Sequence, residues 1–111
     1  MKEIEAEKID HKALLASASK ACGLLKVLAN PDRLLLLCQL TQGEYCVSEL
    51  ASLLNIMQPT LSQQLGVLRD EQLVNTRRDG KQIYYSIASK EAMAVLEVLY
   101  AQYCKTEQPA H

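Results

Sequence analysis

The chain lacks any apolar run long enough to cross a bilayer. Leu34-Leu35-Leu36-Leu37-Cys38 is among its longest, against the roughly 20 residues that a spanning helix requires. The opening stretch Met1-Lys2-Glu3-Ile4-Glu5-Ala6-Glu7-Lys8 alternates acid and base and has no signal-peptide core. Cysteine is too sparse for a disulfide scaffold, with 4 in 111 residues. The expectation is a soluble cytoplasmic protein with free thiols, no cofactor and no membrane partner. Histidine is scarce as well: His11 and His111 lie near the two ends. With no Gly-rich phosphate loop and no nucleophile near a plausible base, an enzyme is not expected. Excess positive charge is also missing, the net charge being −1 and the pI about 6.1. That excludes diffuse attraction of the whole surface to nucleic acid, but not a local basic patch.

What is present is an ordinary globular mixture, 49% hydrophobic and 23% charged, long enough for one domain over residues 1–111. Residues 1–11 and 105–111 read as a mobile arm and tail. Glu3, Glu5, Glu7 and Asp10 outnumber Lys2 and Lys8 at the start. Between 59 and 88 the balance reverses, Arg69, Arg77, Arg78 and Lys81 facing Asp70, Glu71 and Asp79.

Apolar spacing predicts the elements. Leu14, Ala18, Cys22, Leu25 and Leu28 form a helical stripe from about Lys12 to Ala29, widened by Leu15, Leu24 and Val27. Asn30-Pro31-Asp32 restarts a helix with an N-cap, a proline at the first position and an acid in the first turn. It runs to about Leu40, and Gly43 suits a left-handed terminus. Val47, Leu50, Ala51 and Leu54 place a short helix whose start, Cys46 with Glu49, has capping-box spacing. After Asn55-Ile56-Met57, a helix from about Gln58 to Glu71 carries Leu61, Leu65 and Leu68 on one side. Its other face reads Gln58, Thr60, Ser62, Gln63, Gln64 and Arg69. Two short helices around a tight turn make a helix-turn-helix.

The period then becomes alternating. Val74–Arg78 and Gln82–Ile87 read as strands joined through Asp79-Gly80, which favours a type I′ hairpin. Ser89 caps a last helix to about Cys104, striped by Ala92, Val95, Leu96, Leu99 and Tyr103 and broadened by Met93, Tyr100 and Cys104. The fold class is mainly α with a small β-hairpin wing: a winged helix-turn-helix of order αααα-ββ-α. The first and last helices carry more apolar surface than one protomer covers, so they predict a homodimer. Gln and Ser/Thr side chains read base edges in the major groove. Arg77, Arg78 and Lys81 in the wing suit phosphate. A solvated polar face is the bland alternative; helix, turn and basic hairpin in this order favour double-stranded DNA.

Over about Ala13 to Cys104 the sequence resembles the ArsR-type winged-helix repressors of bacteria. The resemblance rests on Leu24-Leu25-Lys26-Val27-Leu28-Ala29-Asn30-Pro31-Asp32-Arg33-Leu34, Val47-Ser48-Glu49-Leu50-Ala51 and Leu61-Ser62-Gln63-Gln64-Leu65-Gly66-Val67-Leu68-Arg69. The wing Arg77-Arg78-Asp79-Gly80-Lys81-Gln82-Ile83-Tyr84-Tyr85-Ser86-Ile87 completes it. It implies a homodimeric repressor that leaves its operator on induction, with DNA contacts at Gln58, Thr60, Ser62 and Gln63. Gln63 and Gln64 adjoin where the family often has a histidine.

The thiols bear on the inducer. One family metal site uses a Glu-Leu-Cys-Val-Cys-Asp-Leu stretch, matched here by Glu44-Tyr45-Cys46-Val47-Ser48-Glu49-Leu50 with one thiolate gone. Another uses Asp and His on the last helix, and Ala92 to Cys104 has neither. Metal sensing is therefore disfavoured; a metal- or metalloid-responsive repressor using Cys46 and other thiols is the alternative. Leu34-Leu35-Leu36-Leu37-Cys38-Gln39-Leu40 and Tyr103-Cys104 resemble the BigR, SqrR, YgaV and HlyU subgroup, which responds to persulfides, sulfide excess or oxidants. That resemblance implies sensing by a disulfide or polysulfide bridge between Cys38 and Cys104. Taken singly, Cys38 is a small hydrophobe that a buried helix face accepts. Cys22 reads as packing, and Cys46 as a weak cap or a dipole-activated thiol.

Overall fold

Side-chain caps set the helix starts. In the computed structural model, which describes residues 10–104, the Asp10 carboxylate accepts the Lys12 N–H at 3.1 Å and opens α1, His11–Leu28. The expected mobile arm and tail otherwise lie outside the described residues. Asn30 accepts the Arg33 N–H at 3.1 Å and opens α2, Pro31–Leu40, with the proline where no intrahelical donor is needed. A two-residue strand β1, Tyr45–Cys46, leads directly into α3, Val47–Leu54, and then α4, Gln58–Asp70. The hairpin β2, Val74–Asp79, and β3, Gln82–Ile87, precedes α5, Lys90–Tyr103, capped by Ser89 accepting the Ala92 N–H at 3.0 Å. No described helix is long and apolar enough to cross a membrane.

The expected mainly α winged helix-turn-helix is present, with one strand more than the sequence indicated. The sheet is antiparallel in the order β1-β3-β2, with Tyr45 opposite Tyr85 and Thr76 opposite Tyr85 on the other side. A two-residue strand whose second member also caps a helix leaves no alternating pattern to detect. The hairpin loop also differs. Asp79 pairs with Gln82, so Gly80 and Lys81 are the central residues, and only Gly80 has positive φ, 65°. A type I′ turn needs positive φ at both positions, so it does not form here. Gly43 adopts φ 147°, outside the expected left-handed helical region, while α2 ends on Thr41 in a right-handed conformation.

Leu36, Leu37, Leu50, Leu61, Leu65, Leu68 and Leu96 are fully buried, one core shared by α2, α3, α4 and α5. At about 25 cal/mol per Å² of apolar area, each side chain contributes roughly 1.5–3 kcal/mol relative to exposure. The terminal helices behave differently. Residues 11–23 of α1 are all exposed, and only Val27 and Leu28 enter the core. In α5, Ala92 and Leu96 are buried but Tyr103, expected on the same stripe, is 78% exposed, because the helix runs past the end of the core. Leu14, Leu15, Leu25, Val98, Tyr100 and Tyr103 are thus left open to solvent within one protomer.

Candidate nucleic-acid interface and thiol pair

The turn between α3 and α4 is set by Asn55, in the left-handed conformation at φ 57° and ψ 44°. Asn tolerates that region better than most residues. The Ile56 N–H returns to the Ala51 carbonyl at 3.3 Å and ends α3. At the other end of α3, the Glu49 carboxylate accepts the Cys46 N–H at 2.9 Å, the expected glutamate arm of a capping box. Met57 makes no side-chain cap for α4, yet Pro59 removes no intrahelical bond, because N–H groups of the first turn have no helical partner.

Leu61, Leu65 and Leu68 seat α4 on the core, which decides what its other face presents. Gln58, Ser62, Gln63 and Arg69 are exposed, and Thr60 is half-buried. Gln64 is drawn inward: its Oε1 accepts from Nη1 of Arg33 at 3.0 Å, while Nε of Arg33 donates to the Val27 carbonyl at 2.8 Å. In the wing, Arg78 and Lys81 are exposed. Arg77 is held by Glu44, with Nε 3.1 Å from both carboxylate oxygens and Nη2 2.9 Å from Oε1. Its guanidinium carbon stands 4.9 Å from the centre of the Tyr84 ring, at cation–π distance. The hydrogen bond from Arg77 holds the Glu44 carboxyl below its usual range, and Glu44 in turn raises Arg77. Neither Glu44 nor Arg33 was singled out from sequence. Each meets its partner more than 30 residues away, a separation that no periodicity reports.

All four cysteines are free. Cys38 is half-buried on α2, and Cys104 is exposed at the C-terminal end of α5, where its N–H donates to the Tyr100 carbonyl at 2.8 Å. Burial pushes the Cys38 thiol up, and a negative charge on Cys104 pushes it further in the same direction. Packing of α5 against α2 brings the two helices that carry these thiols together, although 66 residues separate them in sequence. Cys46 is buried, its Sγ 3.3 Å from the Ser48 hydroxyl, and Cys22 is exposed rather than packed. Among the described residues, no group of three or more His, Cys, Asp or Glu is placed to hold a metal ion.

A family model described as "Bacterial regulatory protein, arsR family" matches residues 30–76. The biofilm growth-associated repressor of Agrobacterium fabrum is 48% identical over 96% of this chain and 92% of its own length. Among solved structures, reduced HlyU from Vibrio cholerae superposes with a TM-score of 0.81 at 40% identity, covering 85% of this chain and 99% of that one. The transcriptional repressor BigR from Xylella fastidiosa gives 0.80 at 42% identity, covering 88% and 100%. The exposed polar face of α4 beside a basic hairpin, on this fold, defines a winged helix-turn-helix DNA-binding transcriptional regulator and not an enzyme. The chain belongs to the ArsR family of bacterial regulatory proteins.

Proposed function

We propose that the protein is a homodimeric repressor that releases operator DNA when Cys38 and Cys104 become bridged. The supporting observation is that α5 packs against α2, which carries the half-buried Cys38, and ends at the exposed Cys104. The similarity to the transcriptional repressor BigR favours repression, and that to HlyU, a transcriptional activator solved in a reduced form, favours a regulator with a redox state. Gln58, Thr60, Ser62 and Gln63 read bases from the major groove, with Gln64 steadying α4 from behind. Arg69, Arg78 and Lys81 neutralise phosphate. A second copy covers the exposed apolar faces of α1 and α5, a two-fold arrangement that sets two α4 helices for grooves about 34 Å apart.

The inducer is a reactive sulfur species or an oxidant. The exposed Cys104 thiolate attacks a sulfane sulfur of a polysulfide, takes one sulfur as a persulfide and expels the shortened chain. The Cys38 thiolate then attacks the Cys104 sulfur, closing a disulfide and expelling hydrosulfide. The protein loses two hydrogens and the polysulfide is reduced. Retention of the added sulfur in a longer bridge instead requires a two-electron oxidant in place of hydrosulfide loss. Either bridge ties α5 to α2 and shifts the dimer helices, and a coupling of about 1–3 kcal/mol weakens DNA binding about 5–150-fold.

The test is release of a duplex, recovered from a random pool by the reduced protein, upon addition of a polysulfide donor. Wild type is expected to release it, with a mass lower by two hydrogens or raised by sulfur less two hydrogens. Cys38→Ser and Cys104→Ser are expected to stay bound. Undiminished release by both variants refutes the switch. Release by zinc or arsenite without polysulfide supports the metal-responsive alternative instead.

A further inference from the structure

One arginine of the wing, Arg77, is engaged within the protein. Arg77 on β2 pairs with Tyr84 on β3, and Tyr84 pairs with Cys46 on β1, so these three side chains line one row across the sheet. Glu44 immediately precedes β1. The Arg77 side chain therefore lies over the Tyr84 ring, and its Nε and Nη2 grip the Glu44 carboxylate in a fork. Asp79 adds a second carboxylate, with Oδ2 3.8 Å from Nη1. The next residue, Arg78, points to the opposite face, because successive strand side chains alternate.

We propose that Glu44 is a built-in competitor for DNA phosphate: it keeps Arg77 on the sheet and so limits the number of backbone contacts the wing makes. To reach a phosphate, Arg77 would give up a bidentate, charge-assisted pair and an aromatic face for one new contact. It would also leave a bare carboxylate beside a polyanion. Arg77 thus stays on Glu44 in the complex, and Arg78 and Lys81 carry the wing's phosphate contacts. The proposal rests on DNA binding by this fold and is independent of the thiol switch.

Salt dependence counts phosphate contacts, each adding about 0.9 to the slope of log affinity against log salt. The experiment measures that slope for wild type, Glu44→Gln, Arg77→Gln and the double variant, on one duplex recovered from a random pool. Glu44→Gln is expected to bind more tightly at low salt with a slope steeper by about 0.9, which changes its advantage about 3.5-fold between 50 and 200 mM salt. Arg77→Gln and the double variant are expected to keep the wild-type slope, the latter because the gain passes through Arg77. A Glu44→Gln slope equal to that of wild type overturns the proposal. So does an Arg77→Gln slope shallower by one contact, or a double variant as steep as Glu44→Gln. Should Arg77→Gln fail to fold, Glu44→Gln alone carries the test. Failure of the wild type to enrich any duplex from the pool overturns the DNA-binding reading itself.

Discussion

Arg33 joins the C-terminal end of α1 to the middle of α4. Its Nε donates to the Val27 carbonyl at 2.8 Å and its Nη1 to Oε1 of Gln64 at 3.0 Å. The helix whose outer apolar face is exposed is thereby tied to the helix that presents Gln58, Ser62 and Gln63. A small movement of α1 is not free to leave α4 behind.

Gln64→Ala removes an acceptor that faces inward. The expected cost is about 0.5–1.5 kcal/mol of stability, the net value of one such hydrogen bond, read by urea denaturation. Affinity for a selected duplex should change much less than in Gln63→Ala, where loss of a base contact costs about 1–3 kcal/mol. Equal losses in the two variants would return Gln64 to the base-reading set.

Cys38 should be a slow nucleophile at neutral pH. Burial is the larger cause of its raised pKa and the charge of Cys104 the smaller. Below that pKa the thiolate fraction, and with it bridge closure, rises tenfold for each unit of pH. In a Cys22→Ser/Cys46→Ser background, Cys104→Ser removes the second cause, which acts only through a charged sulfur, and should speed alkylation of Cys38 in the alkaline range. The linkage sign is also fixed: a pKa raised in the folded state gives stability that is present at low pH and lost as pH climbs through the folded value. The denaturation midpoint of the reduced protein should therefore fall in the alkaline range, and fall less in Cys38→Ser.

Leu50→Ala opens a cavity beneath the helix-turn-helix. Leu50 is fully buried on α3, and such truncations cost about 2–5 kcal/mol. Chemical denaturation should show that loss, with DNA affinity falling through the unfolded fraction. A cost under about 0.5 kcal/mol would mean that α3 does not seat on the core as described.

Leu15→Glu places a charge on the outer face of α1, where Leu15 is 64% exposed within one protomer. A monomer is expected by analytical ultracentrifugation, with an unchanged far-ultraviolet spectrum and weakened binding to a two-half-site duplex. A dimer of undiminished strength would place the subunit contact elsewhere.

The element order was legible because its signals are local. Asn30-Pro31-Asp32, Ser89 with Glu91, and the leucines of α4 at helical spacing each act within a few residues. The polar face of α4 could be read for the same reason: once Leu61, Leu65 and Leu68 point inward, the opposite side follows from the helical period. Strand β1 leaves no mark in the sequence, because two residues carry no period. The apolar period of α5 runs on to Tyr103 after the core has ended, so the stripe itself does not tell buried from exposed positions.

Along the chain, covalent neighbours are enough to specify helices, caps and the family to which they belong, since those depend on spacings of three, four and seven. Which basic residue of the wing carries an intramolecular partner was decided only when distant segments met. Arg77 and Arg78 are adjacent and chemically alike in sequence, yet β1 brings Glu44 to one of them while the other points away. The same holds for sulfur: the sequence pointed to Cys38 and Cys104, but only the fold left the first half-buried and the second exposed on two helices that pack together. Charge and desolvation act through space, so their consequences belong to the fold.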